Sequence, residues 1–299
     1  MMFANNKIRL LVTSECNINC WYCHNEGMPY EVEYMSRNLI DYIENFLGNY
    51  RCMVARIVYS GGEALLHDNI LDYIAKLRKF TESASLVTNG ILVTEDLIKQ
   101  LKSVGLSKMR LGIDSFRRKR SRPTHGSCEH VNPTEIINIC RDNGIIIELN
   151  IVLTEYNIGE LDEIIDYCFD NSINAKYFRV IREIIDDDGD FVGYEHKDHN
   201  YVDKFINSIN RYVGAKINRD YDGANTVVLN NGTILRYCEL LCSKELCWKS
   251  GTRISPNGEI YTCMQARRNP NNIRKIKYDY DIDYESFNII KKGRCAVAV

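Results

Sequence analysis

Three cysteines, Cys16, Cys20 and Cys23, stand within eight positions of the stretch SECNINCWYCHNEG (14–27). A structural zinc site takes four ligands and a disulfide takes two. Three thiols leave one position of a metal centre open. They directly follow IRLLV (8–12), an apolar, β-branched run that reads as a strand. Polar groups recur after the later strand-like runs. ARIVYS (55–60) leads into Gly61, Gly62 and Glu63. ASLVT (84–88) ends on Thr88 and leads into Asn89 and Gly90, and KMRLGI (108–113) leads into Asp114 and Ser115. Asn150 interrupts the apolar run IIIELNIVL (145–153). In a barrel of parallel strands the active site lies at the strands' C-terminal ends. These residues are therefore expected around one mouth, with the paired glycines allowing a close backbone approach to a ligand.

The elements that must position them alternate in type. A sixth strand is expected at KYFRVI (176–181), and amphipathic helical periods fill the gaps. SRNLIDYIENFLGN opens on a Ser cap and is expected to stop at Gly48. NILDYIAKLRKF sets Ile70, Leu71, Ile74 and Leu77 on one face. Thr94 and Gly105 bracket the next helix, and Asn132, Pro133 and Gly144 the one after. LDEIIDYCFDN follows the same logic. The fold class is α/β: a partial (β/α)6 TIM-like barrel over 7–183, its parallel strands joined by right-handed crossovers. The acidic stretch 184–200 breaks the pattern. A linker, a helix and a hairpin (TVVLNNGTIL, with an Asn-Gly turn) run to 235, and a small cysteine-rich domain is expected over 236–299.

Composition narrows the function classes. The 299 residues are 45% hydrophobic and 26% charged, with a net charge of -2. That balance supplies no overall basic field for nucleic acid. No apolar run approaches a membrane span, and MMFANNKIRL has no signal-peptide core. A cytoplasmic protein with neither membrane nor nucleic-acid partners is expected. Twelve cysteines in such a chain point to metal rather than to disulfides. Cys52, Cys140 and Cys168, set singly in helix or strand patterns, read as small core residues.

A second group, Cys238, Cys242, Cys247 and Cys263, with Cys295 as an outlier, lies near the C-terminus. SPNGEIYTC is a hairpin with an Asn-Gly turn that brings Cys263 towards the loop of Cys247. Four thiols at these spacings could close a tetrahedral zinc site. On that reading the chain is a non-catalytic, zinc-stabilised binding protein.

The cysteine triad after strand one, GGE after strand two and TNG after strand three resemble radical S-adenosylmethionine (SAM) enzymes over roughly residues 7–181. The resemblance implies that Cys16, Cys20 and Cys23 hold a 4Fe–4S cluster whose fourth iron takes the amino and carboxylate groups of SAM. Reduction by an external flavodoxin- or ferredoxin-like donor then cleaves SAM to a 5′-deoxyadenosyl radical, which removes a hydrogen atom from a substrate. It implies that the Gly61-Gly62-Glu63 edge meets the SAM ammonium. Thr88, Asn89, Ser115 and Asn150 are candidates for its carboxylate and ribose, and Tyr22 lies near the adenine. The later cysteines resemble twitch and SPASM modules, which implies a second 4Fe–4S cluster on Cys242, Cys247 and Cys263, joined by Cys238 or Cys295.

Within the superfamily the chain is similar to the MoaA family, the GTP 3′,8-cyclases of molybdenum-cofactor biosynthesis. Its opening keeps a basic residue, Arg9, seven before the first cysteine, and TRISPNGEIYTCM resembles that family's closing segment. Arg9, Arg56 and Arg253 are the candidates for substrate binding. Departures stand at Val58 and Gly251, where the family carries basic residues, and a triphosphate needs several cations. The expected substrate is therefore a small molecule or a peptide in a biosynthetic modification, with GTP as the alternative. The basic loop FRRKRSRPTHG (116–126) lies at the same mouth. The first strand starts near residue 7, so no leader-binding domain is expected before the barrel.

Overall fold

A computed structural model describes residues 7–18, 20, 23, 31–113, 115–116, 131–154, 157–179, 182–185, 191–195, 201–212, 216–219, 225–238, 251–261 and 274–275. Tyr22, Cys242, Cys247, Cys263, Cys295 and nearly all of the basic loop lie outside these residues.

Six parallel strands form the centre: β1 (Lys7–Thr13), β2 (Val54–Gly61), β3 (Thr81–Thr88), β4 (Lys108–Gly112), β5 (Ile146–Leu153) and β6 (Asn174–Arg179). They lie in sequence order and every neighbouring pair is parallel. Each of the first five is followed by a helix: α1 (Arg37–Asn49), α2 (Ile70–Leu77), α3 (Glu95–Ser103), α4 (Pro133–Asp142) and α5 (Leu161–Asp170). After β6 comes the antiparallel pair β7 (Arg182–Ile185) and β8 (Phe191–Glu195), then α6 (Tyr201–Ile209). The result is an α/β partial barrel of six βα units, as the alternation of patterns predicts.

Most of the local signals act as read, but Asn132 stands at the start of α4 without a side-chain capping hydrogen bond, and the helix read to Phe80 gives way to a 3-10 turn after Leu77. The Ser36 and Thr94 hydroxyls accept from Leu39 and Leu97 N–H and so satisfy orphan donors at the starts of α1 and α3. Pro133 opens α4. Gly48 does not stop α1; it lies inside the last turn, and the helix ends at Asn49.

The helix-facing strand residues, among them Ile8, Leu10, Ile57, Leu86, Met109 and Leu149, join Leu39, Ile74, Leu101 and Ile164 in one apolar core. Cys140 and Cys168 are fully buried in it and Cys52 packs at its margin.

The sheet continues past both ends of this core. Beside β6 lie β11 (Ile234–Cys238), then β10 (Asn225–Val228) and β9 (Lys216–Arg219). The hairpin read at TVVLNNGTIL is β10–β11, and β11 runs parallel to β6. Phe205 of α6 packs between Tyr177 of β6 and Tyr237 of β11, which seats this extension on the barrel. Beside β1 lie β12 (Thr252–Ile254), β13 (Glu259–Tyr261) and β14 (Arg274–Lys275). The expected hairpin is β12–β13, and Asn257 Oδ1 accepts from Glu259 N–H in its turn.

Candidate active site at the mouth of the partial barrel

The cysteine loop leaves β1 and is sewn to the loop after β2 by backbone alone. Gly62 N–H donates to Thr13 O at 2.8 Å, and Glu63 N–H donates to Glu15 O at 2.7 Å. Both glycines are required for this approach. A Cβ on Gly61 would stand 2.1 Å from Thr13 O, and one on Gly62 would stand 2.1 Å from Glu15 O. Gly61 also has φ +138°, a conformation L side chains rarely adopt. The paired glycines thus admit the chain's own cysteine loop.

Glu63 is fully buried, and burial pushes its carboxyl above the usual carboxylate range against the pull of Asn89 N–H, Leu65 N–H and the Thr88 hydroxyl. One oxygen accepts from Leu65 N–H at 3.0 Å and the other from Asn89 N–H at 2.7 Å. Asn89 Nδ2 donates to Asn17 Oδ1 at 2.7 Å and lies 4.0 Å from Cys16 Sγ. Thr88 Oγ1 accepts from Gly90 N–H at 3.0 Å. The loops after β1, β2 and β3 are therefore fastened to one another through Glu63 and Asn89.

Cys16 and Cys23 are exposed and Cys20 is half-buried; Cys23 N–H donates to Cys20 O at 2.9 Å. Burial raises the Cys16 thiol; the Ile18 N–H lowers it, and Glu63 and Cys23 raise it further. Among the described residues no three His, Cys, Asp or Glu side chains converge on a single metal ion. A single tetrahedral ion with bonds of about 2.3 Å would draw its thiolates within about 4 Å of one another. In a 4Fe–4S cluster each thiolate takes its own iron, so the sulfurs stand further apart. Three thiols on one loop can each take one iron of such a cluster.

Two other predicted residues reach the mouth. Ser115 Oγ donates to the buried Glu160, at the N-terminal end of α5. Asn150, paired with Gly112 and Lys176 on its neighbouring strands, has a buried Oδ1 with no hydrogen-bond partner among the described residues. Such an acceptor is costly unless a ligand supplies the donor. Cys238 ends β11, opposite Phe178.

The strand face opposite the helices forms the inner wall, and it is basic. Alternation puts Lys7 and Arg9 of β1 on this face, opposite Arg56 of β2 and Arg253 of β12. Arg9 Nη1 donates to Ser60 Oγ at 3.2 Å. Further round stand Lys108 and Arg110 of β4, Lys176 of β6 and Arg236 of β11. On β1–β6 and β11 the one carboxylate of this face among the described residues is Glu148. Lys108, Arg110, Glu148, Lys176 and Arg236 were not predicted as site residues. Their signal is a charged residue at alternate positions of an otherwise apolar strand.

A parallel sheet with three thiols on the loop at one strand end defines an α/β partial barrel with a candidate metal-binding loop. Residues 10–168 match the model of the radical SAM superfamily, and the chain belongs to that superfamily. Its members use a 4Fe–4S cluster and SAM. The probable GTP 3′,8-cyclase of Archaeoglobus fulgidus is 31% identical over 181 residues, 60% of this chain and 59% of that protein. This chain thus matches under two thirds of that relative's length. The probable GTP 3′,8-cyclase of Methanocaldococcus jannaschii is 24% identical over 263 residues, 86% of this chain and 84% of that one. Among solved structures, native anSMEcpe with bound AdoMet superposes with a TM-score of 0.68 at 14% identity, over 98% of this chain and 84% of that one. Streptococcus suis SuiB bound to S-adenosylmethionine does so at 0.60 and 14%, over 92% and 64%. These two likenesses concern the fold. No helix among the described residues is long and apolar enough to cross a membrane.

Proposed function

We propose that this chain cleaves SAM reductively at a 4Fe–4S cluster held by Cys16, Cys20 and Cys23, and abstracts a hydrogen atom from a substrate inside the barrel. The observation that carries this reading is the fastening of the cysteine loop to Gly62, Glu63 and Asn89 at the barrel mouth. When bound, the cluster supplies the electron that turns SAM into methionine and the 5′-deoxyadenosyl radical. The chain's own residues orient and shield. The backbone edge at Gly61–Glu63 meets the SAM ammonium, while the Glu63 carboxylate, occupied by two N–H groups, holds that edge in place. Asn150 offers its unpartnered buried oxygen to the ribose hydroxyls. Thr88, Asn89 and Ser115 line the same mouth, and Tyr22 covers the adenine. Walls of packed strands exclude water from the radical. Cys242, Cys247 and Cys263, with Cys238 or Cys295, hold a second 4Fe–4S cluster in a C-terminal unit over 236–299. An external low-potential protein supplies electrons.

Anaerobic reconstitution followed by reduction with dithionite and SAM tests the reading. The expected result is a brown protein containing iron and sulfide that forms 5′-deoxyadenosine. Zinc without iron, or no 5′-deoxyadenosine, would refute it.

A second reading, GTP 3′,8-cyclase, is favoured by the names of the sequence relatives and by the basic wall around Arg9, Arg56 and Arg253. Cations from β4, β6 and β11 supply charge that Val58 and Gly251 do not. Incubation with GTP, SAM and dithionite decides it: the cyclised nucleotide supports the reading, and unchanged GTP with 5′-deoxyadenosine formed excludes it.

A further inference from the structure

Asn89 stands where the loop after β3 meets the cysteine loop, and its side chain can be oriented without ambiguity. Asn89 Oδ1 accepts from Ile91 N–H at 3.0 Å. A backbone N–H only donates, so this contact fixes which end of the carboxamide is oxygen and which is nitrogen. Nδ2 therefore faces the cysteine loop, where it donates to Asn17 Oδ1 at 2.7 Å. An amide nitrogen carries a second hydrogen, and Cys16 Sγ lies 4.0 Å away to receive it. The backbone is held as well, since Asn89 N–H donates to the buried Glu63 carboxylate at 2.7 Å. Contacts to Ile91, Asn17 and Glu63 thus preset the donor beside the sulfur.

A separation of 4.0 Å is long for a bond to a neutral thiol. A metal-bound cysteine is a thiolate, and charge on the acceptor shortens and strengthens such a bond. One-electron reduction of a 4Fe–4S cluster adds a negative charge that spreads over its irons, sulfides and thiolates. A donor aimed at one thiolate stabilises that added charge more than it stabilises the oxidised state. Hydrogen bonds to the sulfurs are accordingly among the features that set the potential of such clusters.

We propose that Asn89 raises the one-electron reduction potential of the cluster by donating its side-chain N–H to the Cys16 thiolate. The inference rests on the reading that Cys16, Cys20 and Cys23 hold a 4Fe–4S cluster. Asn89 acts through Cys16 and is a positioning residue. The electron comes from the external low-potential protein, or from dithionite in the test, and no bond to Asn89 breaks. A higher potential lets a weaker reductant deliver that electron before SAM is cleaved.

The test is a potentiometric titration of the reconstituted full-length protein, with the reduced cluster read by electron paramagnetic resonance. The signal that changes shape when SAM is added to the parent belongs to the cluster of Cys16, Cys20 and Cys23, which separates it from a second cluster. Asn89→Ser keeps a hydroxyl acceptor for the Ile91 N–H and is too short to reach Cys16. Its midpoint should be more negative by a tenfold change in the one-electron equilibrium, about 59 mV, the effect of losing one hydrogen bond to a charged group. Iron and sulfide content equal to the parent's shows that the variant is loaded. A loaded Asn89→Ser protein with the parent's midpoint overturns the proposal. If Asn89→Ser does not hold iron, Asn89→Asp decides: it keeps the size of the side chain and the Ile91 acceptor but replaces the donor with an oxygen. Its midpoint should fall further, and an unchanged or raised midpoint overturns the proposal. The parent reading is scored separately. A shifted midpoint without 5′-deoxyadenosine formation removes the radical reading and leaves the role of Asn89 standing. 5′-Deoxyadenosine formation with an unshifted midpoint removes the role of Asn89 alone, and a protein that takes up no iron removes both.

Discussion

The buried carboxylate of Glu63 accepts the backbone N–H of Asn89 at 2.7 Å and so joins the loops after β2 and β3. The Asn89 side chain passes the connection on to Asn17, next to Cys16. Glu63 therefore sets where the cysteine loop lies. Glu63→Ala leaves two buried N–H groups, of Leu65 and Asn89, without their acceptors. An unsatisfied buried donor costs about 1–3 kcal/mol, so a loss of about 3 kcal/mol is expected in urea unfolding of the metal-free protein. Glu63→Gln, which keeps one acceptor oxygen, should lose less. Equal stability of Glu63→Ala and the parent would refute the bracing role.

Gly62→Ala tests the close approach of the loops. The added Cβ would meet Glu15 O at 2.1 Å, which is backbone and not a flexible side chain. The cysteine loop must move away, at a cost of about 2 kcal/mol from overpacking. The expected protein keeps its far-UV circular dichroism and fails to retain iron on reconstitution. Normal iron content in a folded Gly62→Ala protein would contradict this account.

Acid titration separates two buried glutamates by sign. Burial would raise Glu148, but Arg110, Lys108 and Arg236 together hold it below the ordinary carboxylate value. A lowered folded value contributes stability above the unfolded value of about 4.5, which is lost as pH falls through the lower, folded one. Glu63 is raised by burial, so its contribution is present below about 4.5 and is lost as pH rises through its higher folded value. Unfolding free energy measured from pH 3 to 7 should therefore show a shallower acid loss in Glu148→Gln than in the parent, and Glu63→Gln should flatten the opposite slope. Glu148→Gln should also lower stability near neutrality by about 3 kcal/mol, because it takes the carboxylate charge from the buried Arg110 guanidinium. Identical pH profiles for the parent and Glu148→Gln would rule out the ion cluster.

Thiol labelling should sort the cysteines by environment. Burial pushes the Cys140 and Cys168 thiols up to about 12, so neither forms thiolate near pH 7.5. Iodoacetamide with the folded metal-free protein, read by peptide mass spectrometry, should leave both unmodified while the exposed Cys16 and Cys23 react. Labelling of Cys140 or Cys168 without denaturant would show that the core opens.

Much of the architecture was legible in the sequence because its causes are local. Short β-branched apolar runs mark β1–β6, and the caps at Ser36 and Thr94 mark helix starts. The loop residues after each strand follow once the strands are parallel. Cys16, Gly62, Glu63 and Asn89 could thus be assigned to one mouth before any coordinates. Two things only the tertiary structure decided. The glycines and Glu63 serve contacts between loops, which depend on how closely two segments far apart in sequence approach. The basic inner wall depends on register. Lys108, Glu148 and Arg236 sit on strands far apart in the chain, and alternation fixes the face each one takes within its own strand. Which charges meet across strands is set by the pairing of the strands themselves.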